Sequence, residues 1–243
     1  EDRCAGIEEM LRIDPKINLV VLDDAFQHRY VKPTVAVVLT EFNRPRFYDR
    51  LLPLGRLRES AKALSRADML IVTKCPEQLK PVEFRIFKNN LKIFPYQKLF
   101  FSRYDYKPLK SLFPDEAVPP PYLSWLNDGD AVMLLSGIAN PRPLVRYLRG
   151  FQAQVKVRSF PDHHAFTRRD LESVFKEFEN MNGERKIIVT TEKDSVRLAS
   201  NPYFPQELKP HIYYLPIEVK FDTRFSDNFQ DELLKAIVDS AKI

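Results

Sequence analysis

Short apolar runs rich in β-branched residues recur along this chain with little clean alternation. They are Asn18 to Leu22, Val35 to Leu39, Met69 to Val72, Val132 to Leu135, Val155 to Val157, Ile187 to Val189 and Ile212 to Leu215. Continuous apolar runs are the mark of strands buried on both faces of a parallel sheet, which helices must cover. An α/β layered fold follows.

The helices between the runs carry their own start signals. Asn140 followed by Pro141 fits an N-cap with proline at the first helical position; Leu144, Val145 and Leu148 form one apolar face, and Gly150 is placed to end it. Thr167 with Asp170 resembles a capping box ahead of Leu171, Val174, Phe175 and Phe178, which repeat at core-facing spacing. A last helix carries Phe229, Leu233, Leu234, Ile237 and Val238. With 243 residues, 44% of them hydrophobic, the chain can bury one large core or two smaller ones. Pro114, Pro119, Pro120 and Pro121 interrupt the pattern and place a boundary between residues 1–113 and 114–243. The aromatic segment 99–106 just before it alternates like a strand and is expected to pair with the late strand through Ile217 and Val219 as a hinge, the last helix returning to the first domain.

Charge and cysteine content exclude some classes and choose none. A formal net charge of +5 suits phosphates, nucleic acid or an anionic membrane face equally. Cys4 and Cys75 are far apart and lack CxxC spacing, which argues against a disulfide framework or a structural zinc site. No apolar run is long enough to span a bilayer. The first residues read as helical without an initiator Met, so a further N-terminal portion is expected.

Four polar blocks could carry chemistry. Asn18 to Leu22 reads as a buried strand delivering Asp23 and Asp24 at its carboxyl end, where open α/β sheets bind ligands. Such acids hold Mg²⁺ in P-loop enzymes, although an Asp after a strand is equally an ordinary turn residue. Gln27 and His28 follow so closely that the block is expected to face a polar site. The second block runs from Leu51 to Glu59: Arg58 could stabilise a transferring phosphoryl group and Glu59 could complete a metal shell, or the block is a solvated loop of internal ion pairs. In the third, Asp162 could orient His163 for acid/base work. The fourth, Thr191 to Asp194, ends another buried strand, and Thr191 and Lys193 could contact a nucleotide or sugar, or simply cap a turn.

Taken together, in this order, the blocks resemble those of the lipid A 4'-kinase (tetraacyldisaccharide 4'-kinase) family. Asp23 to His28 is similar to its DDGFQH block, Leu52 to Glu59 to LLPxGxLRE, Gly137 to Pro141 to GIGNP, Asp162-His163 to DH, and Thr191 to Asp194 to TEKD. Ala25 and Ala139 stand where that pattern has glycine. The resemblance implies a P-loop-kinase-like three-layer α/β/α fold with a mostly parallel sheet in two α/β units. It implies ATP-dependent phosphorylation of the 4'-hydroxyl of a tetraacylated glucosamine disaccharide 1-phosphate in lipid A biosynthesis, by a monomer in peripheral contact with the cytoplasmic face of a Gram-negative inner membrane and without nucleic acid. Residue by residue it implies Mg²⁺ on Asp23 or Asp24 with Glu59, phosphate contact by Arg58, nucleotide-side contacts by Gln27, His28, Thr191 and Lys193, and assistance by His163, beside Asp162, to a catalytic Asp outside this sequence. No GxxxxGK(S/T) occurs, so the ATP phosphates have no backbone cradle here and the chain by itself is expected to be inactive. The alternative is a non-catalytic lipid- or partner-binding protein on the same scaffold.

Overall fold

The computed structural model describes residues 2–116 and 121–240. Strands β1 (Val37–Glu41), β2 (Met69–Thr73), β3 (Lys98–Tyr106), β4 (Lys110–Ser111), β5 (Ala131–Ser136), β6 (Gln154–Ser159), β7 (Lys186–Thr191), β8 (Ile212–Leu215) and β9 (Ile217–Phe221) alternate with helices. These are α1 (Arg3–Ile13), α2 (Pro81–Leu91), α3 (Arg142–Leu148), α4 (Arg168–Glu179), α5 (Glu192–Ala199) and α6 (Phe229–Ser240). The chain divides into two compact units, one formed by Glu1–Tyr104 with Val219–Ile243 and the other by Asp105–Glu218. The division falls within β3 and β9, not at the proline-rich stretch. Pro119 and Pro120 of that stretch lie outside the described residues, and Pro114 opens a short 3₁₀ turn.

In the first unit the sheet order is β1-β2-β3-β9, with β1, β2 and β3 parallel. The pairing expected between segment 99–106 and the late strand is therefore present. Alternate residues of β2 and β3 face opposite layers: Leu70, Val72 and Phe101 pack with Phe87 and Leu91 of α2, while Met69, Ile71 and Phe100 pack with Phe229 and Leu233 of α6. Period-two alternation between two apolar layers is what makes the runs read as continuous.

The run Asn18 to Leu22 departs from expectation, because it forms no strand. Leu19 is 60% exposed and Val21 84%. A strand needs a neighbour for its N–H and C=O groups, and among the described residues none lies beside this segment. Val20 and Leu22, at the alternate positions, are half-buried.

The second unit has the order β4-β8-β7-β5-β6, parallel throughout except for β4 against β8. Val132 and Leu134 face a layer with Leu144 and Leu148 of α3, whereas Met133 and Leu135 face Leu171, Val174 and Phe178 of α4. Three α/β/α layers result. Helix α3 starts one residue later than the Asn140-Pro141 signal suggests: Arg142 opens it, and the Asn140 side chain accepts the Arg142 N–H at 3.2 Å.

The start of α4 matches its sequence signal. The Thr167 hydroxyl accepts the Asp170 N–H, and the Asp170 carboxylate accepts the Thr167 N–H at 2.9 Å and the Thr167 hydroxyl proton at 2.7 Å. Those bonds, with His164 at 2.9 Å, hold the Asp170 carboxyl down to about 2. A carboxyl depressed in the fold adds stability that is complete above its ordinary value and is lost as pH falls through the folded one. Stability should therefore decline between about pH 4 and pH 2. Thr167→Ala is expected to cost about 1 kcal/mol at neutral pH and to flatten that acid limb, both measurable by urea unfolding at several pH values.

Candidate active site

The first unit gathers the Asp23–Asp24 turn and the Leu51–Glu59 loop. Asp24 sits in a left-handed turn at φ 47. Its carboxylate accepts both terminal nitrogens of Arg58, the Nη1 contact at 3.1 Å, and this pairing lowers the carboxyl's pKa while raising that of the guanidinium. Glu59 is paired with Arg66 and lies 3.4 Å from Arg29. The Arg66 guanidinium also stacks over the Phe26 ring at 4.4 Å. Arg46 donates to the carbonyls of Glu59 and Ser60 at 3.4 and 3.2 Å, tying down the backbone that presents Arg58.

The loop itself is shaped by Asp49 and Gly55. The Asp49 carboxylate accepts the N–H groups of Arg50 and Arg56 at 2.8 and 3.2 Å, which lowers its pKa. A Cβ on Gly55 would run into the Arg50 carbonyl, so only glycine lets the chain turn here. Gln27, Arg29, Arg58, Glu59, Lys62 and Arg66, with Leu51 and Ala63, line an open cleft of about 700 Å³.

The acids do not assemble as a cation site in this structure. Asp24 and Glu59 each answer to a guanidinium, and no three His, Cys, Asp or Glu side chains gather among the described residues. Their oxygen chemistry suits Mg²⁺, but the arrangement seen spends it on arginine. His28 does not line the cleft; its N–H closes a turn on the Ala25 carbonyl at 2.9 Å.

The second unit brings the other two blocks together at the carboxyl ends of β5, β6 and β7. Gly137, directly after β5, donates its N–H to Asp194 Oδ2 at 2.9 Å. A Cβ there would sit 3.2 Å from Asp194 Oδ1 and 3.4 Å from the Pro161 carbonyl, which favours glycine at this close approach. Thr191 is buried and caps α5, its hydroxyl donating to Asp194 Oδ2 at 2.7 Å and accepting the Asp194 N–H at 3.1 Å. That role leaves little of Thr191 for a nucleotide.

His163 occupies a left-handed turn at φ 60, its N–H donated to Asp162 Oδ1 at 3.0 Å. The expected Asp162–imidazole bond is not made. Asp162 Oδ2 lies 3.8 Å from His163 Nε2, beyond hydrogen-bond reach, because Oδ1 is taken by Lys193 Nζ at 2.9 Å and by the backbone. Lys193 is the leading cause of the lowered Asp162 pKa. The ring instead meets two cations: Lys193 Nζ lies 3.2 Å from Nε2 and Arg197 Nη2 lies 3.1 Å from Nδ1. The imidazole that does pair with a carboxylate is His164, against Asp170, and it is stacked on Phe160 at 4.7 Å as part of the core beside α4.

A family model described as tetraacyldisaccharide-1-P 4'-kinase matches residues 1–237. The chain belongs to this family. It is 44% identical over 241 residues to a tetraacyldisaccharide 4'-kinase of Bacteroides thetaiotaomicron, an alignment that covers 96% of this chain and 63% of that protein. The corresponding kinase of Porphyromonas gingivalis is 42% identical over 239 residues, covering 97% of this chain and 65% of its own length. This member thus spans a little under two thirds of those kinases. A crystal structure of LpxK from Aquifex aeolicus, described as an apo form in complex with ATP, superposes with a TM-score of 0.61 at 24% identity over 99% of this chain and 62% of that one. The likeness establishes the fold, three-layer α/β with mostly parallel sheets.

Sequence reasoning missed the residues that support these two clusters. Asp194 entered as the last letter of a block, yet it is the buried centre of the second cluster, and Arg197 follows it at i+3 on α5. That spacing on one helix face was a readable signal. Asp49, Arg46 and Arg66 left no such trace.

Proposed function

We propose that this chain works as part of an ATP-dependent kinase that phosphorylates the 4'-hydroxyl of a tetraacylated glucosamine disaccharide 1-phosphate in lipid A biosynthesis. The observation that carries the reading is the family match running unbroken over residues 1–237, through every polar block. ATP supplies the phosphoryl group when bound; the residues here orient and neutralise. Arg58, exposed beside the cleft of the first unit, contacts phosphate, with Gln27 as a further polar contact there; Lys193 is a polar contact offered by the second unit. His163 assists the group that accepts the hydroxyl proton. Asp24 and Glu59 are each paired with an arginine, so the residues as arranged form no cation site. The enzyme acts as a monomer at the cytoplasmic membrane face; a net charge of +5 favours an anionic surface, and no helix among the described residues is long and apolar enough to cross a bilayer.

The test is transfer of labelled γ-phosphate from ATP to the disaccharide by the full-length protein. Arg58→Ala is expected to lower kcat/KM by about 10²- to 10³-fold. A full-length protein that binds the glycolipid yet transfers nothing would instead be the non-catalytic binder.

A further inference from the structure

A neutral imidazole carries one N–H and one lone pair, so its two ring nitrogens cannot both accept. Where a carboxylate sits at Nδ1, as in hydrolase triads, the proton is fixed there and Nε2 is left as a base. His163 has the opposite arrangement. Its Nδ1 faces Arg197 Nη2 at 3.1 Å, and a guanidinium only donates, so that bond requires the lone pair on Nδ1 and the proton on Nε2. Asp162 Oδ2, 3.8 Å from Nε2, lies on the side where a proton is electrostatically welcome.

Lys193 competes at Nε2 from 3.2 Å, and the two cations cannot both be satisfied. Their anchoring decides which one holds. Lys193 is 43% exposed at the end of a flexible stem, with Asp162 as its carboxylate partner. Arg197 is 29% exposed, and its Nη1 is buried 3.6 Å from Oδ1 of Asp194, itself at 0% exposure. Neither of those two atoms has a hydrogen-bond partner of its own. The buried carboxylate therefore pins the arginine, and Lys193 is the one that yields.

We infer that Arg197 is a positioning residue that sets the tautomer of His163, keeping the ring proton on Nε2, so that His163 offers a hydrogen-bond donor, not a base, to the reacting partner. The kinetic part of this inference rests on the function proposed above; the tautomer does not. Long-range ¹H–¹⁵N correlation spectra of the full-length protein, with the His163 ring assigned by loss of its signals in His163→Gln, report which nitrogen is protonated. The expected result is the Nε2–H pattern in the parent protein and its loss to a mixture in Arg197→Met, with partial recovery in Arg197→Lys. In the transfer assay Arg197→Met should lower kcat by about 10- to 100-fold at nearly unchanged KM. An Nδ1–H pattern in the parent protein overturns the inference without any variant having to fold, and so does an unaltered pattern in Arg197→Met. If instead the tautomer is as stated but His163→Ala transfers phosphate at the full rate, the proposed role of His163 fails while the tautomer assignment stands.

Discussion

Replacing Asp194 by alanine is expected to destabilise the second unit by about 3–5 kcal/mol, the range for removing one partner of a buried ion pair. The side chain is fully buried and serves three elements at once. Its Oδ2 accepts from the Gly137 N–H at the end of β5 and from the Thr191 hydroxyl at the end of β7. Its Oδ1 is the counter-charge to Arg197 on α5. Alanine would strand a backbone N–H, leave Nη1 of Arg197 buried without its carboxylate, and open a void. Asparagine keeps one carbonyl oxygen for Gly137 and Thr191 but loses the charge, so Asp194→Asn should fall lower, at about 1–3 kcal/mol. Urea unfolding followed through Trp125, the single tryptophan of this chain and a member of the second unit, reads the change where it occurs. A loss below about 1 kcal/mol in the alanine variant, the value of an ordinary exposed pair, would mean that Arg197 is content with solvent and that the carboxylate does not organise the cluster.

That residue marks the border between what was legible in the sequence and what was not. The runs that form β1, β2, β5, β6, β7 and β8 could be read from their apolar β-branched residues, most plainly β2, β5 and β7, which are buried almost throughout, and the Thr167–Asp170 capping box could be read because its bonds are local. Asn18 to Leu22 carries the same signature and misled, since periodicity reports what a segment can bury and not whether a neighbour stands beside it. Of the four polar blocks, Asp162-His163 and Thr191 to Asp194 do lie at strand ends, after β6 and β7, whereas no strand leads into Asp23-Asp24 and Leu51 to Glu59 lies in a loop between β1 and β2. The wiring of all four was not legible. Asp162 next to His163 in sequence suggests a carboxylate–imidazole pair, but a left-handed turn and the reach of Lys193 from another element redirect the carboxylate. The same limit applies to Arg58 and Glu59, adjacent residues whose partners, Asp24 and Arg66, come from opposite directions along the chain. Adjacency along a chain predicts contacts only where backbone geometry is regular.

In the phosphate-transfer assay, His163→Ala in the full-length protein is expected to lower kcat by about 10²- to 10³-fold, the usual effect of removing a positioned hydrogen-bond donor, with KM for the glycolipid little changed. The fold gives no reason for the loss to be structural, because the His163 side chain is 70% exposed. What alanine does disturb is the backbone: at φ 60 a residue sits in the left-handed region, where asparagine is better tolerated than alanine. His163→Asn is therefore the cleaner variant, since it removes the imidazole while accepting the turn. Equal activity losses in the two variants would assign the effect to the ring. A much milder loss in asparagine than in alanine would assign it to the turn, and the imidazole N–H would then have no part in the reaction. The arrangement around Nδ1 makes the first outcome the expected one: with Arg197 donating at Nδ1, the ring offers an N–H at Nε2, a donor that no amide at the same position can reproduce at the same reach.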